Sequence, residues 1–270
     1  MKMEQLGLSP DDRQRFGEMI MRPHGIFLVT GPTGSGKTST LYAALQRVNS
    51  QERNIISIED PIENEIVGVN QAQINLKAGI VFASTLRSVL RQDPDIIMVG
   101  EIRDGETADI SVRAAMTGHL VFSTLHTNTA IGAVARLKDL GVQPFLLASA
   151  LLGVLAQRLV RRVCPKCAQP VPMDETMRRL MGDPEFAGPV MKGRGCKECR
   201  MSGYRGRTGV FELLVVDEEL RKMIGSGVSE ETMRAHWLTR GLRDMKADGM
   251  AKVKAGVTTL EEVMRVTEEH

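Results

Sequence analysis

A chain of 270 residues, 42% of them apolar, can bury a sizeable core and hold one large or two modest domains with a small appendage. Its 35 basic and 33 acidic residues are interleaved and leave a formal net charge of +2, which gives neither the basic stripe of a nucleic-acid binder nor an acidic tail for a basic partner. The longest nearly apolar run, residues 145–156, is interrupted by Ser149 and Gly153 and falls short of the ~20 residues a bilayer span needs, so it reads as a buried core helix. Residues 1–5 are polar and carry no apolar h-region, so no signal peptide is expected and the chain is placed in the cytoplasm.

In chain order, Ser9-Pro10-Asp11-Asp12 is a helix start: a serine N-cap, proline at the first helical position and acids in the first turn. Phe27–Val29 reads as a buried strand and a helix is expected over 38–49. Between them, Gly31, Pro32, Thr33, Gly34, Ser35, Gly36, Lys37 and Thr38 fill every position of the pattern G-x-x-x-x-G-K-[ST], with Ser39 next in line. Strand, glycine-rich loop and helix in that order make a phosphate cradle. The glycines let backbone N–H groups curl around a polyphosphate, and the helix N-terminus adds partial positive charge. Lys37 reaches the outer phosphates and the Thr38 hydroxyl can ligate Mg²⁺. The bland alternative, a glycine-rich turn with a stray lysine, does not explain both flanks.

Further strands are expected at 55–58, 96–99 and 121–123, and helices near 83–92, 106–117 and 130–138. This alternation predicts an α/β fold with a mostly parallel sheet between helices. The strand at 55–58 delivers Glu59-Asp60-Pro61-Ile62-Glu63 to its carboxyl end, where one carboxylate can orient an attacking water; a turn acid capping a helix is the alternative for each. The run Asp95–Gly100 ends in Glu101, although a phosphate-loop enzyme typically places aspartate directly after the apolar residues. His119 and His126 bracket the strand at 121–123, and either can touch a phosphate or serve as a structural hydrogen-bonder. Arg87 and Arg91 fall on one expected helical face near Arg103; they are solvated or offered to a nucleotide in a neighbouring subunit.

After Arg162 the texture turns to cysteine, proline and glycine up to Gly209, with 173–181 its one helix-like piece. All four cysteines lie in two C-x-x-C pairs, Cys164 with Cys167 and Cys196 with Cys199, the spacing of a closed, structural four-thiolate zinc site. Disulfides or redox chemistry require an oxidising compartment, and free thiols are the remaining alternative. From Phe211 the chain reads as a small helical bundle, with Asp217 and Ser229 as caps and Thr259 with Glu262 as a capping box.

Together these segments resemble the type II/type IV secretion ATPase superfamily, in particular the type II secretion assembly branch. The resemblance is carried by the Gly31–Thr38 loop, the acidic box 58–63, the segment from Asp95 through Glu101 to Asp104, the histidine box 118–128, the stretches 157–164 and 203–209, and the tetracysteine. It covers nearly all the chain after about residue 20, and the family's glycine-glutamate pair accounts for Gly100-Glu101. The resemblance implies a RecA-like P-loop NTPase core over 25–160, preceded by a linker and helix over 1–24. A tetracysteine zinc module over 161–209 and a C-terminal helical subdomain over 210–270 would follow.

It also implies Glu63 as the catalytic carboxylate, Glu101 near Mg²⁺ and water, His126 as a γ-phosphate sensor, and Arg87, Arg91, Arg103 and Arg207 as nucleotide-facing arginines. ATP, Mg²⁺ and structural Zn²⁺ are the implied ligands. A homo-oligomeric ring, expected as a hexamer, is the implied assembly, peripheral at the inner membrane on a platform that docks through N-terminal domains. Those domains precede this region in the family, so the chain is expected to be a C-terminal ATPase region. The tetracysteine sets it apart from the retraction motors. A type IV pilus extension ATPase shares every motif. A nucleic-acid motor with a zinc ribbon is disfavoured by one Trp, two Tyr and balanced charge, and no second substrate motif suggests a small-molecule kinase.

Overall fold

The computed structural model describes residues 2–183, 185–186 and 188–268. Packing of the chain defines two units, Met1–Ala156 with Leu213–Leu242, and Gln157–Glu212 with Arg243–His270.

In the first unit α1 (Pro10–Ile20) precedes β1 (Gly25–Thr30), α2 (Lys37–Val48), β2 (Ile55–Glu59), β3 (Asn70–Gln73), α3 (Phe82–Val89), β4 (Ile96–Val99), α4 (Gly105–Met116), β5 (Leu120–Leu125), α5 (Ala130–Asp139), α6 (Pro144–Ala150) and the start of β6 (Leu151–Val163). The strands stand in the order β3-β2-β4-β5-β1-β6, each parallel to its neighbours in that order. The end of β9 (Tyr204–Val215) lies outside β6 and leads into α8 (Glu218–Ser226) and α9 (Glu230–Thr239).

Right-handed crossovers set the layers. The connection from β1 to β2 runs toward one edge and puts α2 on one face, whereas those from β3 to β4, β4 to β5 and β5 to β6 run the other way and put α3, α4 and α6 opposite. The connections leaving β1 and β5, which are neighbours, therefore part to opposite faces. This opens a crevice at their carboxyl ends, the place where such sheets hold ligands. Phe27 is fully buried and packs on Phe16 of α1, ring centroids 4.9 Å apart.

In the second unit β7 (Ala168–Val171) and β8 (Val190–Gly193) pair antiparallel around α7 (Glu175–Met181), with α10 (Met245–Lys254) and α11 (Leu260–Thr267). Met173, Met181, Val190, Met250, Val253, Leu260, Val263 and Met264 form its core.

Several expectations change. The run 145–156 is not one helix: α6 ends at Ala150 and Leu151 enters β6, opposite Ile26. A strand covered on both faces is continuously apolar, so periodicity does not separate it from a buried helix. Gly153 suits the strand, because a Cβ there would stand 2.7 Å from Leu214 O and 3.3 Å from the Phe27 ring. Phe211 is likewise in a strand, and the tail expected as one bundle over 210–270 divides, 213–242 belonging to the first unit and 243–270 to the second. The helix expected to reach residue 92 ends at Val89, since Asp93 has φ 49° and precedes Pro94; Arg91 thus lies in a turn and does not share a helical face with Arg87. The caps at Ser9, Asp217, Ser229 and Thr259 form as expected. Glu262, however, turns its carboxylate to Arg161 and Arg265 rather than back to Thr259.

Candidate active site

The loop between β1 and α2 is built on three left-handed glycines, Gly31 (φ 146°), Gly34 (φ 77°) and Gly36 (φ 90°), conformations that a Cβ would strain. Gly36 is the N-cap of α2, so the first turn of that helix, Lys37, Thr38 and Ser39, turns its backbone N–H groups toward the loop. Lys37 Nζ is drawn inside the turn, donating to Gly31 O at 2.8 Å and Pro32 O at 3.1 Å. A cation held within a ring of backbone amides at a helix N-terminus fits a polyphosphate.

The neighbouring strand ends are stitched to this loop by hydroxyls. Thr127 N–H donates to Thr30 Oγ1 at 2.8 Å, which ties the segment after β5 to the residue before Gly31. Ser123 donates to Val99 O and Thr124 to Gly100 O, each at 2.7 Å, and Ile102 N–H donates to Thr124 O at 3.0 Å. Gly100 N–H donates to Ile58 O at 2.8 Å; a Cβ at Gly100 would stand 3.1 Å from that oxygen and 3.5 Å from Glu59 Cα. This close approach explains a glycine before the acid.

The stitching brings Glu101 and His126 together, with His126 Nε2 3.5 Å from Glu101 Oε2. Arg103 pairs with the same carboxylate, and that hydrogen bond raises its guanidinium pKa above the ordinary value. Glu101 is largely buried while Arg103 and His126 open to solvent. His119 sits at the opposite end of β5, its Nδ1 3.0 Å from Ala114 O, so only His126 of the two stands at the carboxyl rim.

The acidic segment after β2 divides its carboxylates. Glu59 is buried and receives hydrogen bonds from Tyr42, from Ser57 at 2.6 Å and from Gln71 at 2.9 Å, which commits it to holding structure. Asp60 and Glu63 are exposed. Tyr42 was legible only as a helix residue. Burial first, then its bond to Glu59, pushes its phenol up to about 12, so it stays protonated and a donor. A lone tyrosine on an apolar helix face was the available signal.

Arg87 pairs with Glu106 on the surface, Arg91 is exposed in its turn, and Arg207 is exposed in the second unit.

In that second unit the four cysteine sulfurs lie within 4.8 Å of one another, with Sγ–Sγ separations of 3.9 Å for Cys164–Cys196, 3.8 Å for Cys167–Cys199 and 3.7 Å for Cys196–Cys199. Tetrahedral zinc with ~2.3 Å bonds to sulfur requires sulfurs about 3.8 Å apart, so the donor set fits that ion. Burial works to raise the Cys199 thiol, yet backbone N–H groups of Cys196 and Gly203 directed at its sulfur bring it below its ordinary value.

The sequence matches, over residues 1–265, the family described as type II/IV secretion system protein. The chain belongs to that family. It is 54% identical to type II secretion system protein E of Pseudomonas aeruginosa over 270 residues, covering 100% of this chain and 54% of that protein. It is 51% identical to the type IV pilus assembly ATPase PilB of Thermus thermophilus, covering 98% of this chain and 30% of that one. The chain therefore spans about half the length or less of the curated relatives it matches. Among solved structures, the pilus retraction motor PilT with bound ADP is similar at TM-score 0.73 and 30% identity, covering 100% of this chain and 67% of that one. Among the described residues no helix is long and apolar enough to cross a membrane.

Proposed function

We propose that this chain is the nucleotide-hydrolysing part of a secretion motor: a Mg²⁺-dependent ATPase with a RecA-like core that works in a homo-oligomeric ring, a hexamer in the simplest reading, to drive pseudopilus assembly for type II secretion. The observation that carries it is the meeting of the Gly31–Thr38 loop with Glu101 and His126 at the carboxyl ends of β1, β4 and β5.

The backbone of Gly31–Ser39 and Lys37 would hold the phosphates of ATP, and Thr38 with Glu101 would hold Mg²⁺, whose charge offsets that developing on the phosphates. Glu63 is exposed near this rim and takes the role of orienting water. His126, reporting to Glu101, senses the outer phosphate. Arg103 is engaged in its own chain by Glu101, so its release onto a nucleotide requires that carboxylate to exchange partners. Arg87, Arg91 and Arg207, all exposed, are offered to a neighbouring subunit. Zn²⁺ on Cys164, Cys167, Cys196 and Cys199 would order the loop-rich second unit. The whole protein would work in the cytoplasm against inner-membrane platform proteins, without nucleic acid. A type IV pilus assembly ATPase is the second reading, favoured by the 51% identity to PilB.

The test is ATP hydrolysis per chain over a wide protein concentration range, with mass measured on the same samples. The specific rate should climb with assembly, since arginines supplied in trans raise hydrolysis by ~10³–10⁵-fold. Lys37→Ala and Glu63→Ala should abolish it. Full hydrolysis in either variant removes the catalytic assignment.

A further inference from the structure

Each backbone amide of the segment bearing Glu63 that bonds a side chain is held by a side chain from elsewhere. Ile62 N–H donates to Gln73 Oε1 at 3.2 Å and Ile66 N–H to Gln71 Oε1 at 2.8 Å. Glu63 N–H and Asn64 N–H both point at the Tyr42 hydroxyl oxygen, at 3.3 and 3.5 Å. The hydroxyl proton goes to Glu59 at the end of β2, and Glu59 in turn takes Ser57 and Gln71. Gln71 closes the loop by donating to Asn64 O at 3.1 Å.

Among the described residues, Tyr42 is thus the one side chain of this network that does not come from the β2–β3 region. It lies on α2, five residues after Lys37, and is buried at 7% exposure. A phenol that accepts from two consecutive amides and donates to a buried carboxylate fixes both the height and the rotation of that peptide segment.

We propose that Tyr42 is a positioning residue for Glu63: its hydroxyl ties the acidic segment to the helix that begins at the phosphate loop, so that the water-orienting carboxylate is placed relative to the bound phosphates. The inference rests on the reading of Glu63 as the catalytic carboxylate. Removal of the hydroxyl leaves Lys37, Thr38 and the loop amides untouched, so ATP binding is retained. Glu63 loses its register, and a misplacement of about 1 Å at a reacting group costs on the order of 10²-fold in rate.

Tyr42→Phe in the full chain is the test, with Glu63→Gln and the double variant beside it. The expected result is a fall in kcat of about 10- to 100-fold at a KM for ATP within about twofold of the parent. Added to Glu63→Gln, Tyr42→Phe should produce no further loss, because the group it positions is already gone. Full kcat in Tyr42→Phe, or an equal fractional loss on both backgrounds, overturns the proposal, since a merely structural tyrosine acts independently of Glu63. Retained hydrolysis in Glu63→Gln removes the underlying reading instead.

Two measurements stand apart from these rates. Amide hydrogen exchange should accelerate at Glu63 and Asn64 in Tyr42→Phe while Gly34–Lys37 stay unchanged, and unaltered exchange at 63 and 64 overturns the proposal. Gln71→Met, which cuts the second tie of the same segment, should reproduce the kcat loss if the phenylalanine variant does not fold; full kcat there overturns it as well.

Discussion

Replacing Glu262 by glutamine should weaken the second unit in a way that depends on pH. The Glu262 side chain is 2% exposed and accepts from Arg161 N–H at 2.8 Å, from the Arg161 guanidinium at 2.7 Å and from Arg265 at 3.0 and 3.2 Å. Burial alone would raise its pKa. The two guanidiniums and the amide overcome that and bring it from 4.5 to about 2. At about 1.4 kcal/mol per pH unit the shift corresponds to about 3 kcal/mol, and because both arginines are half exposed, water screens part of the attraction and leaves about 2 kcal/mol. A lowered carboxylate pKa stabilises above the unfolded value and loses that contribution as pH falls through the folded one. The stability gap between parent and Glu262→Gln should therefore be complete above about pH 4.5 and close toward pH 2. Denaturant unfolding at constant zinc, from pH 7 to 2.5, reads it. Parallel curves, with a gap unaffected by pH, would refute the charge-based account and leave only a packing defect.

Two other substitutions probe separate links. Gly100→Ala forces a Cβ to within 3.1 Å of Ile58 O, and should cost about 1–3 kcal/mol of stability and lower ATP turnover by at least about tenfold as Glu101 shifts; full turnover would show that this approach does not place the acid. Cys199→Ser should release zinc, measured by metal analysis, and expose the segment around Cys164–Gly203 to limited proteolysis; an unchanged zinc content would reject a four-thiolate site.

The phosphate loop was readable because its requirements are local: glycines where φ is positive, a strand before and a helix after. The acids at 59–63 and 101 were readable for the same reason, each closing an apolar strand. What separated Glu59 from Glu63 was not, since it depends on Tyr42, Ser57 and Gln71 arriving from three elements. β3 escaped notice because Asn70-Gln71-Ala72-Gln73 is polar, as suits a strand at the sheet edge. α6 and β6 merged into one apolar run because burial on both sides erases the period of each. The division of the tail after Phe211 is decided by packing at long sequence separation, to which cap and periodicity signals are blind.

Thr30, Ser123 and Thr124 are buried at 0–4% exposure, and each spends its hydroxyl on the rim of a neighbouring strand. A net hydrogen bond of this kind contributes about 1 kcal/mol, and an apolar replacement at Thr30 also takes away the acceptor of the Thr127 N–H, which raises the cost to about 1–3 kcal/mol. Selection for abundance and selection for turnover would accordingly draw different maps of the same strands if the proposed site is the working one: the first would weigh these hydroxyls by a kcal/mol or so each, the second by where they set the strand ends. In β1 and β5 the alignment of the strand ends is thus written in single oxygen atoms, at positions that a hydrophobicity profile counts as core.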